Sequence, residues 1–188
     1  VLLSQFGRIM ISNMVNSVAA GIFSFAYNIY NILLVTASSL DNVWGPWFYE
    51  KIYAKDYEEI KSKSSLYIFF MFTLSSCVML VSPELISILG TKAYDDAVYC
   101  VIPIIAGGYF SFLYNLPASV EYYYEKTQYI AIGTMMAAMV NIILNYYCIG
   151  AFGYLSVAYV SLVTYIVYFG LHYFLAWKIS KRFLFSNK

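Results

Sequence analysis

The chain has 188 residues, of which 62% are hydrophobic and 11% charged, with a formal net charge of +1. Soluble domains carry about 25% charged residues, and 11 basic with 10 acidic side chains cannot cover a water-facing surface of this size. Composition therefore excludes a soluble domain, and the near-zero charge leaves no basic field for nucleic acid.

Charges mark the limits of the apolar runs, because an ionised side chain at mid-bilayer costs about 2.5–3.5 kcal/mol on insertion scales. A span needs about 20 apolar residues. The chain begins at Val1 without an initiator Met or the basic segment of a signal peptide, which predicts a fragment lacking its N-terminal part. The first charge-free run, 9–40, is too long for one span and too short for two. It predicts the end of a truncated helix over 1–15 that carries Arg8, a turn over 16–21, and a first complete span over 22–44. Further spans are expected over 64–82 and 97–120. The charge-free stretch 127–177 is broken by Gly150-Ala-Phe-Gly153 and divides into spans over 129–149 and 155–177.

A β-barrel needs strict alternation over about ten positions, which these runs lack, so an all-α bundle of transmembrane helices is expected. The segment 49–63 carries both signs of charge and is expected as a helical extension on the membrane surface. Cys77, Cys100 and Cys148 all fall in apolar runs, with no spacing that suggests a disulfide framework or a metal site. The chain also has a single His and no phosphate-loop, GxSxG or HExxH pattern, so neither a catalytic triad nor a cofactor is expected.

Orientation follows from the distribution of Lys and Arg. Lys51, Lys55, Lys61, Lys63, Lys126, Lys178, Lys181, Arg182 and Lys188 fall on one side, against Lys92 on the other and Arg8 within a span. The positive-inside rule makes the first side cytoplasmic, together with the C-terminus. Trp44, Trp47, Tyr49, Tyr53, Tyr122, Tyr123, Tyr124 and Trp177 fall at that same interface.

Polar or small residues recur at helical spacing within the spans. Ser24, Asn28, Asn31, Ser38 and Asn42 share one face of the first span. Gly108, Ser111, Asn115 and Ser119 do so on the third, Thr134, Ala138, Asn141 and Asn145 on the fourth, and Ser161, Thr164, Tyr168 and His172 on the fifth. Such stripes serve either helix–helix packing or a water-accessible cavity that satisfies the Asn amides. Arg8 could snorkel to the headgroups or face the cavity as an anion-binding group. His172 is expected at the interface, with a proton-relay role as the lesser alternative. Asp41, Glu84, Asp95, Asp96 and Glu121 are expected near span ends, leaving no carboxylate at mid-span.

The order of these features resembles a known family. Gly7-Arg-Ile-Met-Ile-Ser-Asn-Met-Val followed by Ala20-Gly-Ile-Phe-Ser-Phe-Ala-Tyr is similar to the start of the second half of bacterial lipid-linked oligosaccharide flippases. These are the Wzx-type O-antigen and capsule translocases of the multidrug/oligosaccharidyl-lipid/polysaccharide exporter superfamily. Trp44-Gly-Pro46-Trp47, Pro103 with Gly107–Gly108, Tyr123 through Thr127, and Asn141-x-x-x-Asn145 before a Gly-bounded turn fit the same pattern. The chain departs from it at Gly7, where the family often has an acidic residue, and at Ile149-Gly150-Ala151, where Pro is common.

The resemblance implies one lobe of a two-lobe transporter in the bacterial inner membrane, with the N-terminal lobe missing from this chain. An undecaprenyl-pyrophosphate-linked oligosaccharide would be its cargo, moved between leaflets by alternating access. Arg8 would contact pyrophosphate, while Asn28, Asn31, Asn115, Asn141 and Asn145 would line the cavity or bind neighbouring helices. A multidrug or cation antiporter of the same superfamily is the nearest alternative, followed by a membrane polysaccharide polymerase or ligase and by a structural subunit. An antiporter needs an embedded carboxylate, and an enzyme needs a larger outer loop than 84–96.

Overall fold

The computed structural model describes residues 2–181, with side chains from residue 5 onward, and is helical throughout apart from short turns. Seven α-helices follow in order: α1 (Leu2–Met14), α2 (Ser17–Tyr53), α3 (Tyr57–Leu89), α4 (Ala97–Leu113), α5 (Asn115–Tyr123), α6 (Thr127–Phe152) and α7 (Ser156–Ser180). A single 3₁₀ turn, Lys92–Tyr94, precedes α4. Five segments are long and apolar enough to cross a bilayer, α4 and α5 counting together as one. The protein is an all-α helical bundle of membrane-spanning type.

The expected spans over 22–44, 64–82 and 129–149 each lie inside one helix, 97–120 is shared by α4 and α5, and 155–177 falls on α7. The helices run further than the charge limits suggest. The turn expected over 16–21 shrinks to Val15 and Asn16. Asn16 is extended (φ −173°, ψ 172°), and its side-chain oxygen accepts the Ala19 N–H at 2.8 Å. This N-cap satisfies an orphan donor and starts α2 at once, so Gly21 sits within the helix. At 37 residues, α2 is about 55 Å long, against roughly 40–45 Å for a whole bilayer.

The expected surface helix over 49–63 is instead a helical hairpin, with α2 and α3 joined by Ala54–Asp56. Asp56 caps α3 through the Glu59 N–H. Lys51 on α2 pairs with Glu59 (2.5 Å) and Asp56 (3.6 Å) across the turn. On the opposite side α3 runs on to Leu89, so the first six residues of the loop expected over 84–96 are helix.

The third span is broken where α4 ends at Leu113 and α5 begins at Asn115. Pro117 has no N–H to offer the Leu113 carbonyl four residues earlier, and its ring crowds that carbonyl. Between α6 and α7, Gly150 stays helical and Gly153 makes the turn at φ 77°, ψ −177°, a backbone region open essentially to Gly alone.

Helix α4 lies at the centre, packed against α2, α3 and α7, while α1 wedges between α2 and α6. Two glycines permit the close approach. A Cβ on Gly107 would meet the Leu162 Cα of α7 at 3.3 Å, and one on Gly108 would run into the Tyr30 ring of α2. One core cluster joins Ile11, Phe23, Ile29, Ile86, Ala97 and Val157 at one end of the bundle. A second joins Trp44, Phe48, Ile52, Ile60, Val120 and Ala176 at the other.

That second end gathers the α2–α3 hairpin, the α5–α6 turn and the C-terminus of α7. Lys51, Lys55, Lys61, Lys63, Lys126, Lys178 and Lys181 therefore share one end, and Lys92 stands at the other with Asp95 and Asp96.

Polarity runs opposite to that of a water-soluble bundle. Phe69, Phe70, Leu80, Met135, Met139 and Val167 are exposed, whereas Glu121, Asn141, Asn145, Ser161, Thr164 and His172 are buried. Lipid tails are as apolar as these exteriors and give helices no reason to bury them, so the interior admits hydrogen-bonding residues beside its two apolar clusters.

Candidate functional site

A polar cavity of about 170 Å³ opens where four helices meet. Gln5 and Arg8 reach it from α1, Tyr30 and Asn31 from α2, Ser111 from α4 and Tyr165 from α7. Asn31 and Ser111 lie on the stripes read from sequence; the tyrosines do not. Tyr165 is about 14 Å in from the start of α7 and Asn31 about 21 Å in from the start of α2, at 1.5 Å per residue. The cavity thus sits partway along the helices and opens at the bundle surface, since Gln5 and Asn31 in its lining are exposed.

Arg8 is the cavity's cation, and its Nε is buried without a hydrogen-bond partner among the described residues. A guanidinium presents five donors and no acceptor. A buried donor left unmatched costs about 1–3 kcal/mol, so the site is chemically incomplete until an acceptor enters. Oxygen-rich anions match its fork geometry. Gly7 lets α1 sit this close: a Cβ there would meet Val157 Cγ1 at 2.8 Å. An acidic residue at that position would find α7 in its way.

The other expected cavity residues lie in different places. Asn28 is exposed on α2, outside the cavity lining. Asn115 opens α5 and donates to Asp41 Oδ2, while the Tyr67 hydroxyl of α3 donates to Asp41 Oδ1 at 2.7 Å. Asn141 and Asn145 are fully buried in the α6–α7 seam. Asn145 donates to Asn141 Oδ1 at 2.8 Å, and Asn141 donates to the Thr164 hydroxyl at 3.0 Å. Of the six residues, only Arg8 and Asn31 face one another across a cavity.

Sequence reasoning did not bring together a second polar centre, formed by His172 and Glu121. His172, expected at the interface, and Glu121, expected near a span end, are each 0% exposed. His172 Nδ1 lies 2.8 Å from Oε1 and 2.9 Å from Oε2 of Glu121. The 51 residues between them carry no periodic signal, and only the packing of α5 on α7 brings them together. Asp41 is likewise drawn in among α2, α3 and α5. Glu121 stays near the end of its span, two residues before Tyr123, and what the sequence did not indicate is its burial inside the bundle.

Comparison with protein-family models, with curated proteins and with solved structures finds no match to this chain. What fold and site define together is a class: a multi-span helical bundle enclosing a cationic cavity and a separate buried acid–base pair.

Proposed function

We propose that the chain forms one lobe of a translocator that moves a lipid-linked oligosaccharide across the bacterial inner membrane, gripping its pyrophosphate at Arg8. The observation that carries this reading is the buried Nε of half-buried Arg8, without a hydrogen-bond partner among the described residues, at a polar cavity partway along apolar helices. Asn31, Ser111 and the tyrosines beside it offer hydrogen bonds suited to phosphate or sugar hydroxyls. The sequence resemblance supplies the cargo. The gathering of basic residues at one end supports a cytoplasmic C-terminus.

The test compares Arg8→Ala with Arg8→Lys in the full-length protein at matched protein levels. Surface-polysaccharide export falls in both, and more in Arg8→Ala, because a lysine keeps the charge without the fork. Normal export in both variants rejects the anion site.

One observation favours the antiporter as a second reading. Glu121 and Asp41 are carboxylates inside the bundle, which is the ingredient cation-coupled antiport requires. Transport of an organic cation that survives Arg8→Ala and fails in Glu121→Gln would select it.

A further inference from the structure

Glu121 and His172 form the one ion pair among the described residues in which both side chains are fully buried. No Lys or Arg nitrogen of the described residues lies within 4.0 Å of Glu121. The rings of Tyr114, where α4 ends, and Tyr168 on α7 pack on the imidazole edge-on, with centroids 4.9 and 4.5 Å away. These two phenols are the titratable groups against the pair. From α6 the neighbour is Gly133, where a Cβ would stand 2.5 Å from His172 Nε2. Helix α2 also packs on α5 and brings no charged side chain to within ion-pair distance of it. Nε2 itself is buried and has no hydrogen-bond partner among the described residues.

Charge counting restricts the states available. A carboxylate beside a neutral imidazole leaves one net negative charge in a dry enclosure, with a bare lone pair on Nε2. Burying an uncompensated charge costs several kcal/mol even after relaxation. One added proton removes it, whether the pair is then a carboxylic acid donating to Nδ1 or a carboxylate facing an imidazolium. In both neutral forms Nε2 carries a hydrogen, and in the charged form it does not.

We infer that Glu121 and His172 together are a proton-binding site, in which the closed, packed arrangement holds one exchangeable proton between the two side chains. No other bond changes, because the proton arrives from hydronium and returns to water. The pair lies about 12 Å in from the C-terminal end of α7 and about 9 Å in from the start of α6, close to the basic end of the bundle. Its occupancy therefore reports conditions on that side. Arg8 and its cavity take no part, so the inference stands whatever cargo the protein carries.

The single histidine of the chain makes the site directly readable. The full chain, labelled with ¹⁵N-histidine and reconstituted in lipid nanodiscs, is titrated from about pH 5 to about pH 10, a range that covers the ordinary histidine and phenol titrations. The expected result is an Nε2–H signal that marks the proton-loaded pair and is lost in a single transition within that range. That transition vanishes in Glu121→Gln, whose amide cannot supply the negative charge, and moves in Glu121→Asp, which draws the carboxylate back by one methylene. A signal unchanged over the whole range in the wild type means a locked structural pair and overturns the inference. So does the same transition, at the same pH, in both variants. The wild-type titration decides on its own if a variant does not fold.

Discussion

Asn115, the first residue of α5, donates its side-chain amide to Asp41 near the middle of α2, 74 residues away in the chain. The Tyr67 hydroxyl completes the arrangement from α3. One carboxylate thus ties three helices together at the point where Pro117 interrupts the third span. Removing it leaves two donors unmatched in a half-buried site, at about 1–3 kcal/mol. Asp41→Ala is expected to lower the resistance to denaturant in detergent micelles by that amount, and Tyr67→Phe or Asn115→Ala by less. Trp44, whose ring stacks on Tyr67 at 4.6 Å, gives the fluorescence readout. Equal midpoints for Asp41→Ala and wild type would show that the carboxylate ties nothing.

Gly108 and Tyr30 provide a second test, because the ring of Tyr30 occupies the place a side chain at 108 would take. Gly108→Ala must displace that ring, which also lines the Arg8 cavity. Overpacking of this kind costs about 1–3 kcal/mol. In a Tyr30→Ala background the obstruction is gone, and the same substitution should cost little. A double-mutant cycle measures the difference, and additive effects would mean that the two residues do not meet.

Asn141 makes two of the interhelical and intrahelical bonds in the α6–α7 seam, donating to Thr164 and accepting from Asn145. Such bonds average about 0.6 kcal/mol in membrane proteins, with a maximum of about 1.7. Asn141→Ala is expected to destabilise by about 1–2 kcal/mol, and Thr164→Val, which loses one of the two bonds, by less. Thermal inactivation in detergent ranks the variants, and the reverse order would place the anchor at Thr164.

Sidedness is testable without any assumption about cargo. Reporter fusions at Ala54, in the α2–α3 hairpin, and at Lys92 should report opposite compartments, with Ala54 cytoplasmic. The two positions lie at opposite ends of α3, which runs unbroken from Tyr57 to Leu89. A cytoplasmic signal at Lys92 would reverse the orientation, and with it the side facing the Glu121–His172 pair.

Much of the fold was legible because lipid imposes a simple rule. A backbone in hydrocarbon must satisfy its own hydrogen bonds, so long apolar runs become helices and charges show where they emerge. The break at Gly153 followed from composition and spacing. Helix ends were less accessible. Asn16 ends the first turn in two residues through a cap, and Lys51, Asp56 and Glu59 close a hairpin that charge alone suggested was a surface helix.

The polar stripes show where sequence stops being sufficient. Periodicity placed Asn28, Asn31, Asn115, Asn141 and Asn145 on faces, yet a face does not say what it meets. Tertiary packing sent Asn141 and Asn145 into a seam with Thr164, Asn115 onto Asp41, and Asn31 alone to the cavity with Arg8.

By itself, then, the sequence determined that the chain is a bundle of five bilayer-length helical segments with its basic residues at one end, because transfer energies act residue by residue. Only the tertiary structure decided that Glu121 and His172 share one buried proton-sized problem, and that Arg8 faces a cavity with a donor to spare. Those facts depend on which helices touch and at what rotation, and no local energy encodes that.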